Sequence, residues 1–331
     1  MRSPYLVFLS FVLVLSACGR GHSPAENSQI SNTTEITPNA PAQPETNSAP
    51  TPDERTSELP YTEHKRLSYA GYVVTVERKP VKVEEFNTEN EVAVLKKDGR
   101  IIRAFDVIRH PLGAFTRLAL VPILGDRSKQ LVIEQTGPRE WAYWVLALKP
   151  RLRVVFTNID YPVDHELGTE DLDGDGRREL LMTLNTFWFF DGLCGACSPR
   201  FAIAFKYDKK RGDFRPANHI LKGFCDSPRK LAEAEQAIKL WQTKNSDFVS
   251  NPIKASDLYS KVLLHALPLL YCGNENRGWS FFDRLYNLPD REVRKSRIKR
   301  TLGSDRVYRV IQNDLKRTRR QASLHRAQLS G

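Results

Sequence analysis

Short strand-like segments separated by turn signals run from residue 68 to about residue 220, and they constrain the fold more than any other feature. They are rich in β-branched and aromatic residues, as in YVVTVERK, QLVIEQTG and EWAYWVLALK. Asp98-Gly99 stands where a tight hairpin turn is expected. Several short strands joined by turns are typical of antiparallel sheets. We therefore expect an antiparallel β domain over residues 63–222.

A faint internal repeat narrows the architecture. The segment LGDRSKQLVIEQT (124–136) aligns with DGDGRRELLMTLN (173–185), and residues 140–156 resemble residues 200–216. Repeats of this length that carry a strand meander are typical of blade-like units. Two or three copies cannot close a propeller. The sequence therefore predicts a mainly β fold, either an incomplete array of blade-like repeats or a sandwich.

The last hundred residues change to helical periodicity. After Ser227, apolar residues recur at the spacing of one helical face, and Pro228 suits the first helical position. We expect a second helix from Ser256 that is kinked or ended by Pro268, and a short third helix in SFFDRLY. Residues 223–331 are therefore predicted to form an α-helical C-terminal subdomain.

Two further helices, expected after Asp290 and Asp305, are strongly basic, and Gly303 is expected to stop the first of them. Residues 291–331 hold thirteen Lys or Arg and three acidic residues, so nearly all of the formal net charge of +11 lies there. Residues 291–320 could bind an anionic surface such as lipid headgroups, or could be a solvated charged helix. No nucleic-acid-binding signature is present, so we expect no nucleic-acid partner.

The first eighteen residues have the parts of an export signal. Arg2 is positive, the run from Tyr5 to Leu15 is apolar but too short to span a bilayer, and the sequence LSAC follows. This motif resembles the lipobox of bacterial lipoproteins. The resemblance implies a signal peptide over residues 1–17 and a membrane anchor through lipids on Cys18. An ordinary secretory signal is the alternative.

The residues after Cys18 are poor in large apolar side chains. Residues 18–62 cannot bury enough surface to offset their ordering entropy, so we predict a disordered tether. Gly19 follows the lipobox-like motif in place of aspartate. In a Gram-negative lipoprotein this implies the outer membrane, with the folded part facing the periplasm.

The segment DLDGDGRRE, residues 171–179, predicts a metal site. Calcium prefers six to eight hard oxygen ligands, and a tight turn places alternate carboxylates on its inner side. Asp171, Asp173 and Asp175 would supply three of these ligands. Arg177 would supply a backbone carbonyl, and Glu179 would close the shell. The alternative is a metal-free Asp-Gly turn.

The loop is not an EF-hand, which would need flanking helices and a glutamate where Met182 stands. Over residues 171–182 it resembles the calcium loops of FG-GAP and VCBS-type repeats, in which Asp-x-Asp-Gly-Asp-Gly precedes a strand of a propeller blade. The resemblance implies a structural Ca²⁺ with side-chain ligands at Asp171, Asp173, Asp175 and Glu179.

Four cysteines remain if Cys18 is lipidated, and an oxidising compartment favours disulfides. Redox Cys-x-x-Cys motifs sit at the start of a helix, whereas Cys194 and Cys197 precede strand-like residues. Three pairings are possible. We favour Cys194 with Cys197 and Cys225 with Cys272, and a zinc site made from all four is the alternative.

These features predict a lipid-anchored envelope protein that acts as a binding module for an unidentified envelope protein or polymer. The sequence contains no HExxH, GxSxG or Gly-rich phosphate loop, so we do not expect an enzyme. The alternative is a periplasmic hydrolase acting on an envelope polymer. A cleft that gathers Asp164, His165 or Glu166 with polar residues of the helical part would favour that alternative.

Overall fold

The computed structural model describes residues 59–83, 85–125, 127–221 and 223–329, apart from the side chains of His165 and of residues 324–329. The expected signal peptide, the lipidation site Cys18 and most of the expected tether lie outside the described residues. So does Asp126, the counterpart of Asp175 in the repeat.

The described strands form three antiparallel sheets of four strands, and each sheet is a meander of consecutive strands. The first sheet contains β1 (Arg66–Tyr69), β2 (Tyr72–Val83), β3 (Phe86–Lys97) and β4 (Arg100–Phe105). The second contains β5 (Phe115–Val121), β6 (Gln130–Thr136), β7 (Trp141–Ala147) and β8 (Arg153–Thr157). The third contains β9 (Val163–Glu170), β10 (Glu179–Leu184), β11 (Ala202–Asp208) and β12 (Asp213–Pro216). The prediction of a mainly β fold is confirmed.

The hairpin between β3 and β4 turns at the expected dipeptide. Asp98 and Gly99 have φ angles of 50° and 75°. Two consecutive residues with positive φ match the right-handed twist of the flanking strands, which is why Asp-Gly is favoured at such turns.

The second sheet is packed on both faces and joins the other two. Successive side chains of a strand lie on opposite faces of its sheet, so an apolar run can contribute to two cores. One face joins the core of the first sheet through Leu131, Ile133 and Trp144. The other face joins a larger core, shared with the third sheet and the helices, through Val132, Tyr143 and Val145.

The described chain begins against this second sheet. Leu59 is buried in the larger core. The Thr62 backbone N–H donates to the Leu118 carbonyl of β5 at 2.9 Å. The Arg117 guanidinium lies over the Tyr61 ring, 4.2 Å from its centroid. Residues 59–62 therefore contact the second sheet and the larger core, and the first sheet follows them in the sequence.

Helices follow the sheets, as predicted. They are α1 (Pro228–Lys244), α2 (Pro252–Tyr271), α3 (Glu275–Leu285), α4 (Arg291–Ser304) and α5 (Arg306–Leu329). Helix α2 has nine buried residues, more than any other described helix, which makes it the centre of this part. Within the described chain, none of the helices has both the length and the apolar character needed to cross a bilayer.

The start of the second helix differs from the prediction, whereas its passage through Pro268 was one of the two predicted alternatives. It begins at Pro252 instead of Ser256, because the Asn251 side chain accepts from the backbone N–H groups of Ile253 and Lys254. The helix does not end at Pro268 but runs on to Tyr271.

The caps of the last two helices differ from each other. Asp305 caps α5 as predicted, because its carboxylate accepts from the backbone N–H of Tyr308 at 2.7 Å. Asp290 makes no capping hydrogen bond, because its carboxylate pairs instead with the Arg294 guanidinium at 2.8 Å. Gly303 lies inside α4, which continues to Ser304, so the predicted stop at Gly303 was wrong.

A long loop between β10 and β11, residues 185–201, connects the third sheet to the helices. The equivalent loop of the second sheet spans only residues 137–140. Asp191 forms ion pairs with Arg294 and Arg297 of α4. The Phe201 ring packs edge-on against Tyr271 of α2, with ring centroids 5.2 Å apart. We call residues 185–201 the connecting loop.

Candidate cation-binding loop

The predicted calcium loop connects β9 to β10 and is shaped by its own aspartates. The Asp171 carboxylate accepts from the backbone N–H of Gly176 at 3.0 Å, and the Asp175 carboxylate accepts from that of Arg177 at 2.9 Å. Gly176 has a φ of 77°, a conformation that glycine adopts without steric cost. The loop therefore closes tightly with its carboxylates brought together.

Three of the predicted ligands meet within the reach of one ion. Oxygen atoms of Asp171, Asp173 and Glu179 lie within 4.8 Å of one another. Glu179 is almost fully buried at 1% exposure, whereas the two aspartates are exposed. Such a cluster is compatible with a cation, although exposed acidic groups are also common without one.

A lysine that the sequence interpretation missed supplies a cation to this cluster. The Lys206 Nζ atom of β11 lies 2.6 Å from Asp173, 2.9 Å from Asp175 and 3.1 Å from Glu179. Lys206 follows Phe205, which pairs with Leu180 of β10. A lysine in an otherwise apolar strand was the available signal, but its partner depends on strand register.

These contacts shift the protonation equilibria of the cluster. Burial would lower the pKa of the Lys206 ammonium, but hydrogen bonds to three carboxylates raise that pKa above its usual value. Burial would raise the pKa of Asp175, but hydrogen bonds from Lys206 and from the Arg177 backbone lower it. Burial raises the pKa of Glu179. Lys206 is therefore charged at neutral pH.

Arg177 was expected to contribute its backbone carbonyl. Its side chain lies beside the cluster, with the guanidinium 3.5 Å from the Asp175 carboxylate. Residues 171–179 hold four carboxylates and two arginines, so with the third positive charge of Lys206 the loop retains a net charge of −1.

The second sheet contains a counterpart of this loop in which Pro122 and Leu124 stand in place of Asp171 and Asp173. Gln130 is the first residue of β6, as Glu179 is the first residue of β10. The Gln130 Oε1 atom accepts from the backbone N–H of Ile123 at 2.7 Å, seven residues earlier. Glu179 Oε2 accepts from the backbone N–H of Leu172 at 2.8 Å, also seven residues earlier. The two loops therefore share one internal hydrogen bond.

A second shared arrangement supports the internal repeat. Asn158, just after β8, accepts from the backbone N–H of Tyr143 and donates to the Trp141 carbonyl. Asn218, just after β12, accepts from the backbone N–H of Ala204 and donates to the carbonyl of Ala202 in β11. In each of these two sheets, a buried asparagine that follows the fourth strand therefore forms two hydrogen bonds with the backbone of the third strand.

The four described cysteines form the two favoured pairs. Cys194 and Cys197 lie 4.9 Å apart between Cα atoms, and Cys225 and Cys272 lie 6.2 Å apart. Both pairs are at disulfide distance, so the four residues do not meet at one zinc site. Cys194 caps a 3₁₀ turn, Gly195–Cys197, that precedes β11.

The depression that contains Asp164 has no lining residue from the helices, within the part of the chain that the structure describes. Asp164 lines a surface depression together with residues of β10 and of the connecting loop. Glu166 is exposed, and the His165 side chain is outside the described part.

The basic helices contain two kinds of cationic residue. In α4, the basic side chains of Arg294, Lys295 and Arg297 pair with acidic residues. In α5, Lys316, Arg319 and Arg320 are exposed and, among the described residues, form no ion pair. Lys299 and Arg300 of α4 and Arg309 of α5 are likewise exposed and without an ion pair in the described part, so the free positive charge extends along both helices and includes the end of residues 291–320.

Comparisons of this chain with protein-family models, curated proteins and solved structures give no match.

Proposed function

We propose that this chain is a lipid-anchored envelope protein that acts as a binding module, and that a structural Ca²⁺ stabilises its third sheet. The lipobox-like start supports the anchor, and the oxidising compartment it implies agrees with the two cysteine pairs. The observation that carries the calcium proposal is that Glu179 has a carboxylate where its counterpart Gln130 has an amide.

Both the oxygen and the nitrogen of the Gln130 side-chain amide form hydrogen bonds within its own loop. Its oxygen accepts from Ile123, and its Nε2 atom donates to the carbonyl of Ser128 at 3.3 Å. Ser128 corresponds to Arg177, whose carbonyl is the predicted calcium ligand. Glu179 has a second carboxylate oxygen where Gln130 has a donor. A cation beside that oxygen would take the role of the missing N–H.

Calcium and the Lys206 ammonium are competing cations for this position. The loop keeps a net negative charge beside Lys206, and a lysine side chain is flexible enough to withdraw. Side-chain oxygens of Asp171, Asp173, Asp175 and Glu179 and the Arg177 carbonyl are the hard ligands that calcium prefers. The ion would connect the loop to the start of β10, and it would perform no chemistry.

The test is a thermal melt of the full chain in EDTA and in about 1 mM calcium. Extracellular calcium modules have dissociation constants of roughly 10⁻⁴ to 10⁻³ M. At the tight end this gives about 1.4 kcal/mol, which raises Tm by a few degrees. Asp173→Ala and Glu179→Gln should abolish the rise, and Asp247→Ala, on an exposed acid elsewhere, should keep it. An unchanged wild-type Tm would leave Lys206 as the permanent cation.

The anchor is tested by fractionating cells that express the full chain. The wild type should sediment with membranes, and Cys18→Ala should release it or leave it unprocessed. A wild-type protein in the soluble fraction would contradict the anchor. A Cys18→Ala protein that behaves like the wild type would also contradict it.

A binding role fits the described surface better than the hydrolase alternative. The depression that contains Asp164 draws its other residues from β10 and the connecting loop, and none from the helices. A hydrolase of the kind considered would need polar groups from both parts around one reacting bond.

A second candidate is binding to an anionic surface through the end of α5, favoured by Lys316, Arg319 and Arg320, which are exposed and pair with no acidic residue of the described ranges. Replacing all three by alanine should weaken binding to vesicles containing anionic lipid, and binding should fall steeply with salt. The control replaces Lys209, Lys210 and Arg211, an exposed basic turn between β11 and β12. Equal losses in both variants would contradict this site.

A further inference from the structure

The two cysteine pairs differ in their exposure and in the length of the loop that each closes. Cys194 and Cys197 are both exposed and only 3 residues apart. Cys272 is 8% exposed, and it pairs across 47 residues with the half-buried Cys225. Exchange at a disulfide requires access to its sulfur atoms, and a short closed loop restricts the unfolded chain least. The second pair is therefore suited to a structural role, and the first is open to reaction.

Hydrogen bonds outside the disulfide hold the exposed cysteines in place. The Ser198 hydroxyl donates to the Cys194 carbonyl at 2.9 Å and accepts from the Phe189 backbone N–H at 2.9 Å. The Ser260 hydroxyl of α2 donates to the Cys197 carbonyl. None of these contacts requires the S–S bond. The loop should therefore keep its shape when that bond breaks, with the two thiols close enough to form it again.

Cys194 is the sulfur better suited to carry the negative charge of a thiolate. Its Sγ atom accepts from the Cys197 backbone N–H at 3.1 Å. A donor aimed at a sulfur favours the charged form over the neutral one. In thiol–disulfide exchange, the sulfur with the more stable thiolate leaves more readily. An incoming thiolate should therefore attack Cys197 and release Cys194.

A tryptophan side chain lies against the turn between the two cysteines. A Cβ atom added at Gly195 would be 3.0 Å from Trp188 Nε1. This Nε1–H group is buried and, within the described ranges, has no hydrogen-bond partner. A buried donor without a partner calls for an explanation. A thiolate formed beside Gly195 would supply the missing acceptor.

An exposed cation lies on the same tryptophan. The Arg200 guanidinium is 5.9 Å from the centroid of the Trp188 ring, and it forms no ion pair with the acidic residues that the structure describes. Reactive cysteines are typical of accessible, electropositive surroundings, because a nearby cation stabilises the thiolate. The exposed pair therefore has the surroundings of a reactive disulfide.

We propose that the Cys194–Cys197 pair is a thiol–disulfide exchange site that accepts two electrons from a dithiol of another envelope protein. A thiolate of the partner attacks Cys197 Sγ, the S–S bond breaks, and Cys194 leaves as a thiolate. The partner's second thiolate then attacks the partner's own sulfur in the mixed disulfide and releases Cys197. The partner gains a disulfide and loses two protons, and Cys194 and Cys197 become thiols with two protons.

The sequence alone favours a structural role for this pair, because strand-like residues follow it. The exposure of both cysteines and the contact between Trp188 and Gly195 depend on how the connecting loop folds. The exchange activity goes beyond the proposed binding role and requires neither the calcium ion nor the anchor.

The first test equilibrates the purified full chain with about 1 mM oxidised glutathione and between about 1 and 100 mM reduced glutathione. This range spans the redox poise of known thiol oxidoreductases. Acid quenching, alkylation and mass spectrometry measure the reduced fraction of each pair. Cys194–Cys197 should change from oxidised to reduced within the range, and Cys225–Cys272 should stay oxidised. In samples quenched early, glutathione should be found on Cys197 at least tenfold more often than on Cys194.

The second test follows electron transfer from a reduced peptide that contains two cysteines, in the absence of oxygen. The peptide should become oxidised as the wild type becomes reduced, in equal amounts. The double variant Cys194→Ala/Cys197→Ala, which keeps the other cysteine pair, should leave the peptide reduced.

Variants around the pair separate an exchange site from a disulfide that is merely exposed. Trp188→Phe keeps a ring beside Gly195 but removes the N–H donor, and it should slow reduction by glutathione several-fold. Trp279→Phe, at another half-buried tryptophan, is the matched control and should leave the rate unchanged. Arg200→Gln should also slow the reaction, and it provides the answer if Trp188→Phe does not fold, because Arg200 is exposed.

Four outcomes would overturn the proposal. They are a Cys194–Cys197 pair that stays oxidised over the whole glutathione range, joint reduction of both pairs, a peptide that stays reduced with the wild type, and folded variants that react as fast as the wild type. Glutathione found mainly on Cys194 would overturn the assignment of the leaving sulfur.

Discussion

Gly125 lies so close to Gly176 that a Cβ atom added at Gly125 would be 2.2 Å from the Gly176 carbonyl oxygen. Beside this contact, the Arg178 backbone N–H donates to the Ile123 carbonyl at 2.8 Å. The aspartate loop and its counterpart in the second sheet are therefore in direct backbone contact. The neighbouring loop, as well as its own hydrogen bonds, determines the shape of the aspartate loop.

Gly125→Ala should lower the free energy of unfolding by about 2 kcal/mol or more, since it combines a backbone clash with a φ of +71°. Gly99→Ala is the matched control, because Gly99 has a φ of +75° and open space around its Cα. That variant should lose only about 1 kcal/mol. Urea unfolding measures both, and equal losses would show that the contact with Gly176 is unimportant.

Lys206→Met should increase calcium affinity about tenfold, because it keeps the side-chain length but removes the competing charge. Without calcium the variant should be less stable than the wild type, because the Glu179 carboxylate would be buried without a cation. Calorimetric titration and melts in EDTA measure the two effects. Lys209→Met, in the exposed turn after β11, should change neither. Unaltered affinity in Lys206→Met would mean that lysine and calcium do not share the position.

The two cysteine pairs should contribute unequally to stability. Cys225 and Cys272 are 47 residues apart. In the loop-closure account, a disulfide between them raises the free energy of the unfolded chain by about 4 kcal/mol. Cys194 and Cys197 are only 3 residues apart, for which the same account gives about 2 kcal/mol. Urea unfolding of the two double alanine variants compares these values. A larger loss from the shorter loop would contradict the expectation.

Asp191→Asn should destabilise the protein most near neutral pH. Burial would raise the pKa of Asp191, but hydrogen bonds from Arg294 and Arg297 lower it below its ordinary value of 3.8. A carboxylate with a lowered pKa stabilises the folded state above its unfolded pKa, and this contribution is lost as the pH falls. The difference from the wild type should be about 2 kcal/mol at pH 7 and should shrink below about pH 4.

Asparagine tolerates the positive φ of 53° at this position, so the backbone should be preserved in Asp191→Asn. Unfolding in urea at several pH values measures the difference, with Asp257→Asn, at a half-exposed side chain of α2, as the control. A difference that stays constant with pH would show that the charge of Asp191 is not responsible.

The mainly β fold and the helices that follow it could be predicted because they depend on local patterns. The strand segments, the Asp98-Gly99 turn and the repeat that relates Gln130 to Glu179 are all visible along the chain. The cysteine pairing had only three possibilities. These features need little knowledge of which distant residues meet.

Other parts of the candidate sites could not be predicted, because they depend on how distant elements pair. Lys206 meets Glu179 only through the register of β10 and β11. Asp164 and Arg200 come together only because the connecting loop folds back over the start of β9. The early start of α2 depends on the Asn251 cap, and it was missed because the apolar pattern begins later.

The point at which the described chain enters the fold has a mechanical consequence. A pull on the residues before Leu59 would act first on the buried Leu59 side chain, and then on the contact between Tyr61 and Arg117 and the hydrogen bond from Thr62 to β5. The force would then pass into the second sheet and the core that it shares with the helices. The first sheet begins only after Thr62, so it would bear little of the load. This holds although it is the first of the three sheets along the sequence.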